Sequence, residues 1–126
     1  MPCASRIRGS APVSGTYYFG ENAGLAVRPR FLGPPESKLE DTASPIRHVR
    51  SGMPPFLVTW AEQEFPHLKR QAHEMVAALQ AENIDVQTLE LPDCNHFTAS
   101  YVAGEADGLW PTTFDQWSAR ILGNKT

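Results

Sequence analysis

Two kinds of hydrophobic spacing alternate along the second half of this chain. "PPFLVTW" (54–60) is a continuous apolar run of strand length, bounded by Pro54 and Pro55 on one side and by polar "AEQE" on the other. Such a run predicts a strand buried on both faces, as in a parallel sheet. In "PHLKRQAHEMVAALQAEN" the residues Leu68, Ala72, Met75, Val76 and Leu79 fall at i, i+4, i+7, i+8 and i+11, a single stripe on a helix. Pro66 suits its first turn and Asn83 its left-handed stop. "DVQTLEL" (85–91) returns as a strand, and "TTFDQWSARIL" (112–122) sets Phe114, Trp117 and Ile121 on one helical face. Upstream, "RGSAPVSGTYY" (8–18) mixes small, β-branched and aromatic residues and ends beside Gly20, which predicts a short strand and then a loop. Residues 20–55 are rich in Gly, Pro, Asn and charge, with room for a turn or two of helix. A connection of that length inside a compact domain serves a function or wraps a site.

Strand, helix, strand, helix implies an α/β fold with parallel pairing and right-handed crossovers. In open sheets of this kind active groups gather at the carboxyl ends of the strands. "AEQE" and "DCNH" both lie there. Glu64 follows the strand ending at Trp60, and His96 follows the strand ending at Leu91. On adjacent parallel strands the two loops share one edge, where a carboxylate can orient an imidazole, fix its tautomer and stabilise the imidazolium. Glu62, two residues earlier, is the alternative acid.

Composition narrows the classes. A chain of 126 residues, 41% hydrophobic, is enough for one domain with one core. A net charge of −3 offers no broad electropositive field, so nucleic acid is not an expected partner. Cys3 and Cys94 form no C-x-x-C pair, which argues against a disulfide framework or a structural zinc and fits a reducing, cytoplasmic setting. No signal-peptide core and no run of about 18 apolar residues is present, so no membrane partner is expected. Histidines His67 and His73 are not spaced i, i+4, and Cys94 with His96 makes only a C-x-H pair, so no metal site is expected among them and Glu62, Glu64 and Glu74. Ser14, Ser44 and Ser51 each sit beside Gly or Pro, as turn serines do. Trp60, Trp110 and Trp117 read as packing, although "GEADGLWP" (104–111) follows the histidine loop closely enough to line a substrate.

The chain resembles the α/β-hydrolases, and within them the esterase and kynurenine-formamidase-like branch. "IRGSAPVSGTYYF" looks like the sixth strand with its Ser-Gly-x-Tyr ending, and "FLGPPESKLEDTASPIRHV" like the excursion closing on Ala-Ser-Pro. "PPFLVTWAEQEFPHLKRQAHEMVAAL" resembles strand seven, the acid loop and a helix carrying Arg-Gln, here Arg70 and Gln71. "LELPDCNHF" resembles strand eight and the catalytic-histidine loop. The resemblance implies parallel strands six to eight with flanking helices, Glu64 as triad acid and His96 as general base, and a small-molecule ester or N-formyl amide as substrate, with no cofactor or metal required. The acid is more often Asp in that family, so Glu64 is a departure.

A second departure is larger. The family's nucleophile sits in a G-x-S-x-G elbow after strand five, and no such motif occurs in residues 1–126. On the resemblance, the chain is a partial domain, the C-terminal half of a hydrolase, inert or nearly so by itself. The edge of strand six would then be bare, which predicts self-association or a missing N-terminal half. The rival expectation is a non-catalytic interaction module or pseudoenzyme that kept the sheet and lost the elbow.

Overall fold

The computed structural model describes residues 6–123. Two strands, β1 (Phe56–Gln63) and β2 (Val86–Asn95), pair in parallel, with Phe56 opposite Val86 and Ala61 opposite Leu91. The helices are α1 (Glu40–Ala43), α2 (Pro66–Ala81), α3 (Ala99–Ala103) and α4 (Leu109–Ile121). Helix α2 is the crossover between the strands, as the strand–helix–strand pattern predicts.

All side chains from Phe56 to Ala61 are buried. Because successive side chains point to opposite faces, a strand covered on both sides has to be apolar throughout. Phe56, Val58 and Trp60 join Tyr17, Ala72, Met75, Leu79 and Ile84 in one cluster with α2. On the opposite face Ala61 joins Leu91, Cys94 and Ala99, with Val13, Leu89, Val102 and Trp110 packed around them. Helix α2 begins at Pro66, and Asn83 takes the left-handed conformation beyond its end, with φ of 59°.

Three strands were expected, and the first is not formed as one. Residues 10–14 run parallel to β1 but touch it only through bridges at Ser10–Phe56 and Val13–Thr59. The amide of Ser10 donates to Pro55 O at 3.0 Å, Leu57 N to Ser10 O at 2.9 Å, Thr59 N to Pro12 O at 3.1 Å and Ser14 N to Thr59 O at 2.9 Å. The rung missing from this series is the one an amide at position 12 would donate, and proline has none. Strand β2 also runs past its expected end at Leu91, because a register shift between Ala61 and Gln63 lets Pro92 and Asp93 bulge before Asn95 pairs with Gln63. Helix α4 starts three residues ahead of its expected Thr112, with Pro111 in its first turn, where a missing N–H costs nothing.

The excursion is tied down by polar side chains. Buried Gln71 on α2 accepts from Tyr17 N at 2.9 Å and Tyr18 N at 3.0 Å, and donates to Ala23 O at 2.8 Å. Its neighbour Arg70 donates to Asn22 O at 2.9 Å. Fully buried Ser44 accepts from Phe19 N and donates to Glu40 O. Gly24, at φ of 85°, passes so close to α2 that a Cβ there would stand 2.4 Å from that of His67, which leaves glycine as the residue that fits. Cys3 lies outside the described residues. Among those described, no helix is long and apolar enough to cross a membrane.

Candidate active site

Glu64 leaves β1 through a tight turn in which its amide donates to Ala61 O at 3.1 Å. The turn folds the side chain back over the end of the strand, and the carboxylate is fully buried. His96 leaves β2 through a second turn, held by Asn95, whose Oδ1 accepts from Phe97 N at 3.0 Å and Thr98 N at 3.1 Å. The two turns bring Glu64 Oε1 to 2.7 Å from His96 Nδ1. A carboxylate oxygen is an acceptor, so in this contact Nδ1 is the ring nitrogen placed to donate, and Nε2 is the one left for other partners. The His96 side chain is 33% exposed while that of Glu64 is 0% exposed, so the pair runs from the interior to the surface.

The second carboxylate oxygen is occupied too. Glu64 Oε2 accepts from Ser14 Oγ at 2.6 Å and from Ala61 N at 3.3 Å. The buried charge is felt around it. Burial, and after it the Glu64 carboxylate, push the Tyr17 phenol up to about 12. Burial chiefly raises the Cys94 thiol as well, with the Glu64 and Glu62 charges adding to it, so this cysteine is a packed, protonated group.

Glu62 goes elsewhere. Its Oε1 accepts from Asp93 N at 3.1 Å, bracing the β2 bulge, and its carbonyl accepts from Lys69 Nζ at 3.0 Å. His73 lies against Trp60, with ring centroids 4.8 Å apart, and His67 stacks on Phe65 at 5.8 Å. Among the described residues no group of three or more His, Cys, Asp and Glu is placed to hold a metal. Trp110 is the first-turn residue of α4 that donates to Thr59 Oγ1 at 3.2 Å, a packing contact on the face of the sheet opposite α2.

A cleft of about 450 Å³ opens beside His96 and is lined by Val13, Ser14, Ser100 and Ala103. Exposed aromatics ring the imidazole: Phe65 at 5.3 Å and Phe97 at 5.6 Å between centroids. A larger cleft, of about 680 Å³, lies within the excursion, lined in part by Tyr18, Arg28, Lys38 and Asp41, and does not include His96. Sequence reasoning missed Ser14 as a member of this cluster. Its signal was the Ser-Gly pair at the end of an extended run, which has the look of a turn.

No protein-family model matches the sequence, and no curated protein does. Solved structures do match. Over 94% of this chain, the apo form of Thermogutta terrifontis esterase 2 superposes with a TM-score of 0.66 at 15% identity. The native form of that thermophilic planctomycete esterase gives 0.62 at 14%, and the form phosphoramylated by tabun 0.64 at 15%. The likeness is one of fold, that of the C-terminal part of an α/β-hydrolase, and the chain spans only 41–42% of the length of these esterases.

Proposed function

We propose that this chain is the part of a serine hydrolase that carries the acid and the base of its triad, and that the enzyme cleaves carboxylic esters. The observation that carries this reading is the 2.7 Å contact between buried Glu64 and His96 Nδ1 at the carboxyl ends of two adjacent parallel strands. Glu64 holds the ring, and His96 Nε2 takes the proton of a serine as its oxygen attacks the acyl carbon, then returns it to the departing alkoxide. The serine belongs to a segment beyond residues 1–126, on a strand added alongside residues 10–14. The exposed Phe65 and Phe97 beside His96 support a surface that such a segment covers. The fold neighbours favour an ester over an N-formyl amide, and two of them were solved with butyrate and propionate bound, which points to a short acyl chain. The setting of the enzyme, on the cysteine usage, is a reducing one such as the cytoplasm.

The test is a chimera in which this chain replaces the matching C-terminal part of Thermogutta esterase 2. Hydrolysis of p-nitrophenyl butyrate that falls by about a thousandfold or more on His96→Ala supports the reading. A folded chimera whose hydrolysis ignores His96→Ala refutes it, and leaves the chain as a non-catalytic module.

A further inference from the structure

The cleft beside His96 contains a hydroxyl that the proposed chemistry does not use. Ser14 Oγ donates to Glu64 Oε2 at 2.6 Å, across fifty positions of sequence. We propose that Ser14 is a positioning residue for the acid: its hydroxyl fixes the rotation of the Glu64 carboxylate that presents Oε1 to His96 Nδ1. The inference rests on the reading of Glu64 and His96 as a working pair.

Nothing in a glutamate side chain selects that rotation by itself, because its terminal torsion is broad and roughly two-fold. Selection comes from the donors on the far oxygen. Of the two, Ala61 N stands at 3.3 Å, long for an amide donor, while Ser14 Oγ at 2.6 Å has the short geometry of a charge-assisted bond. Full burial of the carboxylate makes that donor hard to replace with solvent. Ser14 is also held in place from its own side. Its amide donates to Thr59 O at 2.9 Å, and its φ of 52° is an uncommon, left-handed conformation for serine, so the backbone is turned to aim this side chain. Because the hydroxyl proton is given to Glu64, Ser14 is placed to orient the pair and not to act as its nucleophile.

The tautomer of His96 reads this directly, in the intact chain and without any activity. Long-range ¹H–¹⁵N correlation of the histidine rings, at a pH where they are neutral, gives the ratio of Nδ1–H to Nε2–H forms. In the native chain the Nδ1–H form of His96 is expected to dominate by about tenfold or more, as a bond to a buried carboxylate supports. Ser14→Gly removes the hydroxyl and suits the left-handed backbone; Ser14→Ala removes the hydroxyl and keeps the Cβ. Both are expected to fold and to cut the ratio by about threefold to tenfold. If both retain the native ratio, or if only Ser14→Gly lowers it, the hydroxyl is not the positioning group and the inference falls while the Glu64–His96 pair stands. A native chain in which His96 favours Nε2–H overturns the pair itself, and the inference with it.

Discussion

Gln71 is the polar residue on which the most backbone depends, and Gln71→Met isolates what its amide contributes. The two side chains have similar length and volume, so the substitution leaves no cavity and adds no strain in a site where Gln71 is 1% exposed. What it removes is three hydrogen bonds, to Tyr17 N, Tyr18 N and Ala23 O. The bonds at Tyr17 and Ala23 are buried and the one at Tyr18 is partly so. An orphaned buried group costs about 1–3 kcal/mol, which for two such groups and part of a third comes to about 2–7 kcal/mol, with a middle value of about 4–5 kcal/mol. Against a typical total of about 5–15 kcal/mol that is a large fraction. With a urea slope of about 1–3 kcal/mol per molar for a domain of this size, the midpoint should fall by roughly 2 M without change of slope. Equilibrium urea unfolding followed by tryptophan fluorescence measures both. A drop of less than about 0.5 M at constant slope would show that residues 17–23 are held by something other than the amide, and Gln71 would not be what ties the excursion to α2.

Tyr17 has a phenol pushed up to about 12, so the folded state holds its proton more tightly than the unfolded chain does. Its contribution is fully present below about pH 10 and is lost as pH rises toward the folded value, a loss of about 2–3 kcal/mol. Because its hydroxyl finds no hydrogen-bond partner among the described residues, Tyr17→Phe should be neutral or stabilising by about 1 kcal/mol at pH 8 and should abolish the alkaline loss; urea curves at the two ends of the range decide it. Asp85 accepts from Arg120 Nη1 at 2.7 Å and Nη2 at 3.2 Å, and the guanidinium holds its carboxyl below the ordinary range. A depressed value stabilises above the unfolded pKa of about 3.9 and ceases to do so as pH falls through the folded one. Both side chains are about half exposed, so Asp85→Asn should cost no more than about 1 kcal/mol at pH 7, less in high salt, and nothing in strong acid, which urea midpoints at the two pH values measure.

The parts of the fold that were legible in the sequence are those fixed by burial. The run from Phe56 to Trp60 could only be a strand covered on both sides, and the stripe from Leu68 to Leu79 could only lay α2 along it. What escaped was settled by single polar or backbone groups. Pro12 deletes one rung and turns an expected strand into two bridges. Pro92 and Asp93 look like a terminus but form a bulge inside β2, with Asp93 at φ of 57°. Helix α3 is five residues long, too short to show a period. Gln71 interrupts no apolar stripe and so gave no sign that it staples the excursion. The meeting of Glu64 and His96 was legible from where the two strands end, whereas the partner of Ser14 is set by folding alone.

That partnership follows from the way the sheet opens. Along β1 the amides of Leu57 and Thr59 donate sideways to the carbonyls of Ser10 and Pro12. The next amide on the same side is that of Ala61, and in a continuing ladder it would meet the carbonyl of residue 14. Ser14 instead turns away at φ of 52°, and Ala61 N donates to Glu64 Oε2. The carboxylate therefore occupies the position of a missing carbonyl at the point where two extended segments diverge. A buried charge needs donors, and a splitting sheet supplies them without a dedicated pocket. The turn that frees the Ala61 amide also delivers the Ser14 hydroxyl to the same oxygen. The opposite oxygen is then left facing β2, where the Asn95 turn sets His96. Glu62 cannot substitute for Glu64 in this arrangement, because it is still in β1, ahead of the turn, and its carboxylate braces the bulge at Asp93. A shift of two residues thus separates a carboxylate built into the end of the sheet from one that supports its flank.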